Sequence, residues 1–189
     1  MKKVMISLMC LSVLLLSGSI SFATDSGDSF TVTLTPAGDR GVIIDTTTIA
    51  LGSLTLGTTQ QTANGVPVTS TGTIAPIEYT LTGALSGGWS LSSDGNANAQ
   101  DELAVFALFT TEAASQPSSA TFVSEATTNL VVTSAQQVGD TAAKYEVTDM
   151  DSLQLNATKN LWLKFCLPPT TSTGAQQTVT LTVTAEAAN

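Results

Sequence analysis

Thr178-Val179-Thr180-Leu181-Thr182-Val183-Thr184 alternates aliphatic and hydroxyl side chains without a break. Successive side chains of an extended chain point to opposite faces, so Val179, Leu181 and Val183 share one face and the threonines the other. β-branched residues on both faces, apolar on one only, describe a half-buried strand. Near the other end, Phe30, Val32 and Leu34 alternate with Thr31, Thr33 and Thr35 until Pro36 stops the run.

Working inward from these ends, further strands are predicted at 42–44, 49–56, 65–69, 77–81, 89–91, 103–110, 130–133, 145–147 and 161–167. The breaks between them carry turn residues: Pro36-Ala37-Gly38-Asp39, Ala63-Asn64-Gly65, Ser86-Gly87-Gly88, Asp94-Gly95-Asn96, Gln116-Pro117-Ser118 and Pro168-Pro169. Two readings compete for 101–114. Leu103, Phe106, Ala107 and Thr110 would share a helical face, whereas the aromatic run Val105-Phe106-Ala107-Leu108-Phe109 between Gly/Ser flanks reads as a strand, the reading adopted. Residues 111–129 are rich in Ala, Ser and Thr and read as a long loop or a hairpin carrying Phe122-Val123. Turn signals every ~8–12 residues and no linker or fixed repeat give one all-β domain over 24–189. Its expected architecture is a single antiparallel β-sandwich, immunoglobulin-like or jelly-roll-like.

The N-terminus reads as an export signal over 1–23. Lys2-Lys3 is a basic lead, 5–16 is a nearly unbroken apolar run, and Ser21 and Ala23 put small residues before a polar start at Thr24. Cys10 lies inside the apolar run, with Leu11 to Leu16 still to come, and reads as an incidental core residue rather than a lipid attachment site. After cleavage 166 residues remain, with no stretch able to span a bilayer as a helix. The basic residues left are Arg40, Lys144, Lys159 and Lys164 against 15 acidic ones, a net charge of −11. So few cations cannot track a phosphate backbone, which excludes nucleic acid. Cys166 is then alone, and no intramolecular disulfide can form. Histidine is absent, which removes His-based general bases, Ser-His and Cys-His pairs and His metal ligands. The 32 threonines are spread along the whole chain rather than gathered in a stalk.

Few stretches carry chemistry. Asp94, Asn96, Asn98, Asp101 and Glu102 place oxygen donors at near-alternate positions, the start of a loop that could wrap calcium. In an EF-hand register Ala99 replaces the turn glycine and Val105 the bidentate Glu, so that motif fails. A polar hairpin loop with Asx turns is the plainer reading. Asp149-Met150-Asp151 reads as a turn. Glycoside hydrolysis needs paired carboxylates across a cleft with sugar-stacking rings. Trp89, Trp162, Tyr79 and Tyr145 are the only large amphipathic rings, and the tryptophans read as core plugs. An enzyme is therefore not expected, nor a cofactor other than calcium. Asn156-Ala157-Thr158 fits a glycosylation sequon and reads as a loop in a chain whose signal and composition look bacterial. Phe30–Thr35 follows a polar lead at the mature N-terminus, the arrangement strand-exchanging filament subunits need. It reads first as a strand of its own sandwich, with Thr178 to Thr184 at the other end as a candidate partner.

Leu51-Gly52-Ser53-Leu54-Thr55-Leu56-Gly57, followed by Val66-Pro67-Val68-Thr69-Ser70-Thr71-Gly72-Thr73-Ile74-Ala75-Pro76, resembles the opening of Hydin-type immunoglobulin-like domains. Ser70 stands where that family has Asn, and Leu51 where it has Phe. The resemblance implies an immunoglobulin-like surface or scaffolding module and transfers no active site. Gly88-Trp89-Ser90-Leu91 and Leu161-Trp162-Leu163 are similar to the paired tryptophan motifs of WxL surface proteins, with Lys164 in place of the second motif's Leu.

The expected function is that of a secreted, non-enzymatic bacterial structural or adhesive protein, such as a filament or surface-layer subunit. Its place would be the cell surface, the extracellular space or the periplasm. Its partners would be other protein subunits or cell-surface components, copies of itself included. The alternative expectation is a calcium- or carbohydrate-binding β-sandwich module.

Overall fold

The computed structural model describes residues 38–46, 48–112, 114–122, 129–139, 145–146, 150 and 152–188. The chain divides after Pro36, and every described residue belongs to the unit that follows. The export signal and the strand expected at 30–35 lie outside the described residues, as do Val123, Val147, Asp149 and Asp151.

Among the described residues nine strands form two sheets: β1 (Arg40–Ile44), β2 (Thr59–Gln61), β3 (Val66–Gly72), β4 (Ile77–Ser86), β5 (Ser90–Leu91), β6 (Glu102–Thr111), β7 (Gln136–Val138), β8 (Thr158–Cys166) and β9 (Thr178–Ala187). The larger sheet runs β1-β3-β8-β6-β5, with β2 also on β8; the smaller runs β7-β4-β9. Every pairing is antiparallel except the short one between β5 and β6. The described chain is all-β, in the sandwich-like arrangement its alternation predicts. No helix among the described residues is long and apolar enough to cross a membrane.

The core follows from the alternation. Val66, Val68, Tyr79, Leu81, Val105, Phe109 and Val183 meet between the sheets, with the Tyr79 and Phe109 rings 5.9 Å apart and tilted by 43°. Each such side chain contributes about 1.5–3 kcal/mol when fully buried. The strand β6 is buried on both faces from Leu103 to Thr110, which is why its sequence lacks a period and read ambiguously. Its second face, Ala104, Phe106 and Leu108, packs outside the sandwich against Phe122, Leu130 and Trp162. The 114–122 stretch thus roofs the larger sheet, and the strand reading of 103–110 holds.

Three expected strands differ. The stretch 49–56 is irregular: Gly52 and Gly57 both sit at positive φ, and Gly57 N–H donates to the Pro168 carbonyl at 2.9 Å. The alternation of Leu54 and Leu56 is broken there, and pairing to β8 falls instead to Thr59–Gln61. β2 and β3 lie along one edge of β8, interrupted at 62–65. At that break a side chain on Gly65 would collide with Asn160 and come within 3.0 Å of Trp162. The stretch 130–133 forms only a bridge, Leu130 to Phe106, and the strand of this region lies further on at Gln136–Val138. Near 145–147, Glu146 bridges Phe109.

These short pieces have a common function in the fold: they cover the outer edge of β6. Ser90 and Ser92 N–H donate to the Asp101 and Leu103 carbonyls at 2.9 Å, Ala107 N–H to Asn129 O at 2.9 Å, and Val131 N–H to Val105 O at 2.8 Å. Phe109 N–H donates to Tyr145 O further along. One residue past Val131 the same segment reaches the other sheet, where Gly83 N–H donates to Val132 O at 2.9 Å. Residues 129–132 therefore tie the two sheets together with main-chain bonds.

Candidate functional site

Two regions stand out, one at an end of the sandwich and one along its open side. The first joins the loop after β5 to the loop between β8 and β9. Asp101 sits at φ 60°, a left-handed conformation that Asp tolerates better than most residues. Its carboxylate accepts hydrogen bonds from Thr171 Oγ1 (2.8 Å), Ser172 N–H (2.8 Å) and the Ser172 hydroxyl. Its N–H donates to Thr170 O at 3.2 Å. These donors, the Ser172 hydroxyl first, hold the carboxyl below the usual carboxylate range. Trp89 joins the same network: its indole N–H donates to Thr171 Oγ1 at 2.8 Å, and its backbone N–H to Gln177 Oε1 at 3.0 Å.

Asp94 serves its own loop. Asn96 N–H and the Ser92 hydroxyl each donate to Asp94 Oδ1 at 2.9 Å, which holds that carboxyl below the usual range, with the Asn96 backbone the largest cause. This is the Asx turn that Asp94-Gly95-Asn96 predicts. Glu102 accepts from Ala99 N–H at 3.4 Å, and Asn96 and Asn98 are exposed. Asp94, Asp101 and Glu102 of the expected calcium donors thus accept hydrogen bonds from three different sets of partners. Among the described residues no three carboxylate or thiol groups converge on one point. The partners of Asp101 come from about 70 residues further on. The Thr170-Thr171-Ser172-Thr173 run after Pro168-Pro169 was their signal: hydroxyls in a turn with no strand to serve.

Both tryptophans are occupied in packing. Trp162 is buried against the outer face of the larger sheet, its indole N–H donating to Thr110 Oγ1 at 3.0 Å. Trp89 is half-buried against the core. Beside Trp162 lies Lys164, a buried cation whose Nζ is 5.4 Å from the centre of the Phe106 ring and donates to Ser119 O at 3.3 Å. Asn156 of the sequon lies in an exposed turn at φ 63°, as a loop reading requires. Cys166 is half-exposed and free, with the Thr59 hydroxyl 3.6 Å from its sulfur.

The second region was not read from the sequence. Between β1 and β9, where the two sheets present their edges on the same side, an apolar cavity of about 280 Å³ opens, lined by Ile44, Ile49, Leu161, Leu163, Leu181 and Val183. Its rim is threonine, and it holds no charged side chain. The strand β9 is paired with β4 over its full length, Thr178 to Ala187, and its other edge has no strand partner among the described residues. No family model and no curated protein matches the chain.

Proposed function

We propose that this chain is an exported, non-enzymatic structural or adhesive protein of the bacterial cell surface or its surroundings, working as a subunit that assembles with copies of itself or with other surface components. The observation that carries the reading is that, among the described residues, the outer edge of β9 has no strand partner and borders an uncharged apolar cavity, on a chain otherwise strongly acidic. A long strand with one unpaired edge is a template for another chain, and structural subunits use such edges. The signal-like N-terminus supports export, and the sequence resemblance to Hydin-type and WxL surface domains supports a scaffolding role. The polar loops at the sandwich end support it too, because Asp94 holds its own turn and Asp101 ties its loop to Thr171 and Ser172, so both carboxylates are engaged in the fold.

The test is to express the full chain in a bacterial host and measure where it goes and what mass it has. Mature protein beginning at Thr24, removed from intact cells by external protease or recovered from the medium, is the expected result. Full-length protein retained in the cytoplasm would overturn the reading.

A further inference from the structure

We infer that two copies of this chain pair through their β9 edges, antiparallel about a two-fold axis at Leu181, so that the three-stranded sheet becomes a continuous six-stranded one. The inference deepens the structural reading above by naming the partner as a second copy and fixing the register.

The sequence of β9 is a palindrome about its centre: Thr178-Val179-Thr180-Leu181-Thr182-Val183-Thr184 reads the same in both directions. An isologous two-fold contact demands self-complementarity, residue i meeting j and j meeting i. Antiparallel pairing centred on Leu181 sets Thr180 opposite Thr182 of the second copy, Val179 opposite Val183, Thr178 opposite Thr184, and Leu181 opposite itself. Thr–Thr and β-branched pairs directly across an antiparallel ladder are stabilising. No other register matches like with like over all seven positions.

Charge selects the same edge. The chain carries −9 overall, so two copies repel wherever acidic groups meet. From Thr173 to Ala185 there is no charged residue. In the centred register Glu186 faces Gln176, and the two Glu186 residues stand roughly ten strand positions apart, about 34 Å, well beyond a Debye length of ~8 Å at physiological salt. The usual protections of an edge strand, an inward or flanking lysine, a proline or a bulge, are missing from β9. The outer edge of β6 is hydrogen-bonded by pieces of its own chain, whereas among the described residues β1 packs beside β9 and no strand hydrogen-bonds its outer edge. Leu181 and Val183 also line the apolar cavity at this edge, so pairing shields that opening from water.

The register can be tested by charge, because Thr180 and Thr182 are exposed and project away from the core. Light scattering and sedimentation on the full chain should show a particle of two chains whose population rises with concentration. Thr180→Lys with Thr182→Lys places lysine opposite lysine twice across the axis and should abolish the two-chain particle. Thr180→Lys with Thr182→Glu places opposite charges face to face twice and should restore it to at least the unmodified level. The second variant also controls for folding, since both substitute the same two positions. A single-chain particle at every concentration would overturn the inference, as would a double-lysine variant that still pairs. So would association that disappears on deletion of residues 24–35 while ignoring charges at 180 and 182, because strand exchange would then be the contact. A chain that pairs in this register but stays in the cytoplasm would leave the inference standing and remove only the surface role.

Discussion

The two tyrosines of this chain have opposite hydrogen-bonding fates, which makes them a matched pair for testing the core. Tyr145 is buried and its hydroxyl donates to Leu130 O at 2.6 Å; Tyr79 is buried and its hydroxyl has no partner among the described residues. The Ser70 hydroxyl, which slightly eases the burial of Tyr79, itself donates to Gln154 O at 2.6 Å. Tyr145→Phe strands a buried carbonyl and is expected to lower unfolding stability by about 1–2 kcal/mol. Tyr79→Phe removes an orphaned polar atom and is expected to leave stability unchanged or raise it slightly, both read by denaturant unfolding. Burial pushes both phenols up to about 12 from 10.0. A raised folded value favours the protonated form, so this contribution is intact below pH ~10 and lost between ~10 and 12. Because the chain has only these two tyrosines, an absorbance titration should show no tyrosinate until the fold itself opens. Asp101 works in the opposite sense. Its carboxyl is held low, so its contribution is present above the ordinary value of about 3.9 and fades as pH falls through the lower folded one. Asp101→Asn keeps a residue that tolerates positive φ and should destabilise the chain at neutral pH, with the difference closing below pH ~4 in thermal melts.

At the scale of elements, the residues that made strands legible were those with one wet face. β9 is legible from its alternation, and β6 from its aromatic content once the helix is set aside. Residues 49–56 form no strand because Leu51 and Leu54 pack against the core from an irregular path while Ile49 and Leu56 are exposed, so apolar content there does not signal pairing. The strand β7, Gln136-Gln137-Val138, has no apolar period at all; it exists because β4 offers an edge, a tertiary cause that no local pattern records. The same holds for the site. The Asp94 turn was legible within five residues, whereas the Asp101–Ser172 contact and the β9 cavity join residues brought together only by the fold. Gly83 shows how tightly those elements fit. A Cβ at this position would come within 2.4 Å of Val131 Cγ1 and 3.2 Å of Leu91 Cδ1, where the 129–132 segment crosses between the sheets. Gly83→Ala is expected to cost about 1–3 kcal/mol through overpacking, visible as a lower denaturant midpoint with an unchanged slope.

For the whole molecule, composition and topology agree. A chain with 32 threonines and no histidine supplies strand formers and hydroxyl-rich faces, and little of the usual inventory for acid–base chemistry. Among the described residues, 129–132 tie the sheets together on the β6 side, while on the other side β1 and β9 lie next to each other with no strand paired to the outer edge of either. The central claim is that the chain works by associating through its edge rather than by holding an ion in its 94–102 loop. Sedimentation velocity over a wide concentration range, with and without millimolar calcium, tests this most directly. The account predicts concentration-dependent association that calcium leaves unchanged. A particle that stays a single chain at every concentration, and changes its sedimentation only when calcium is added, would contradict it.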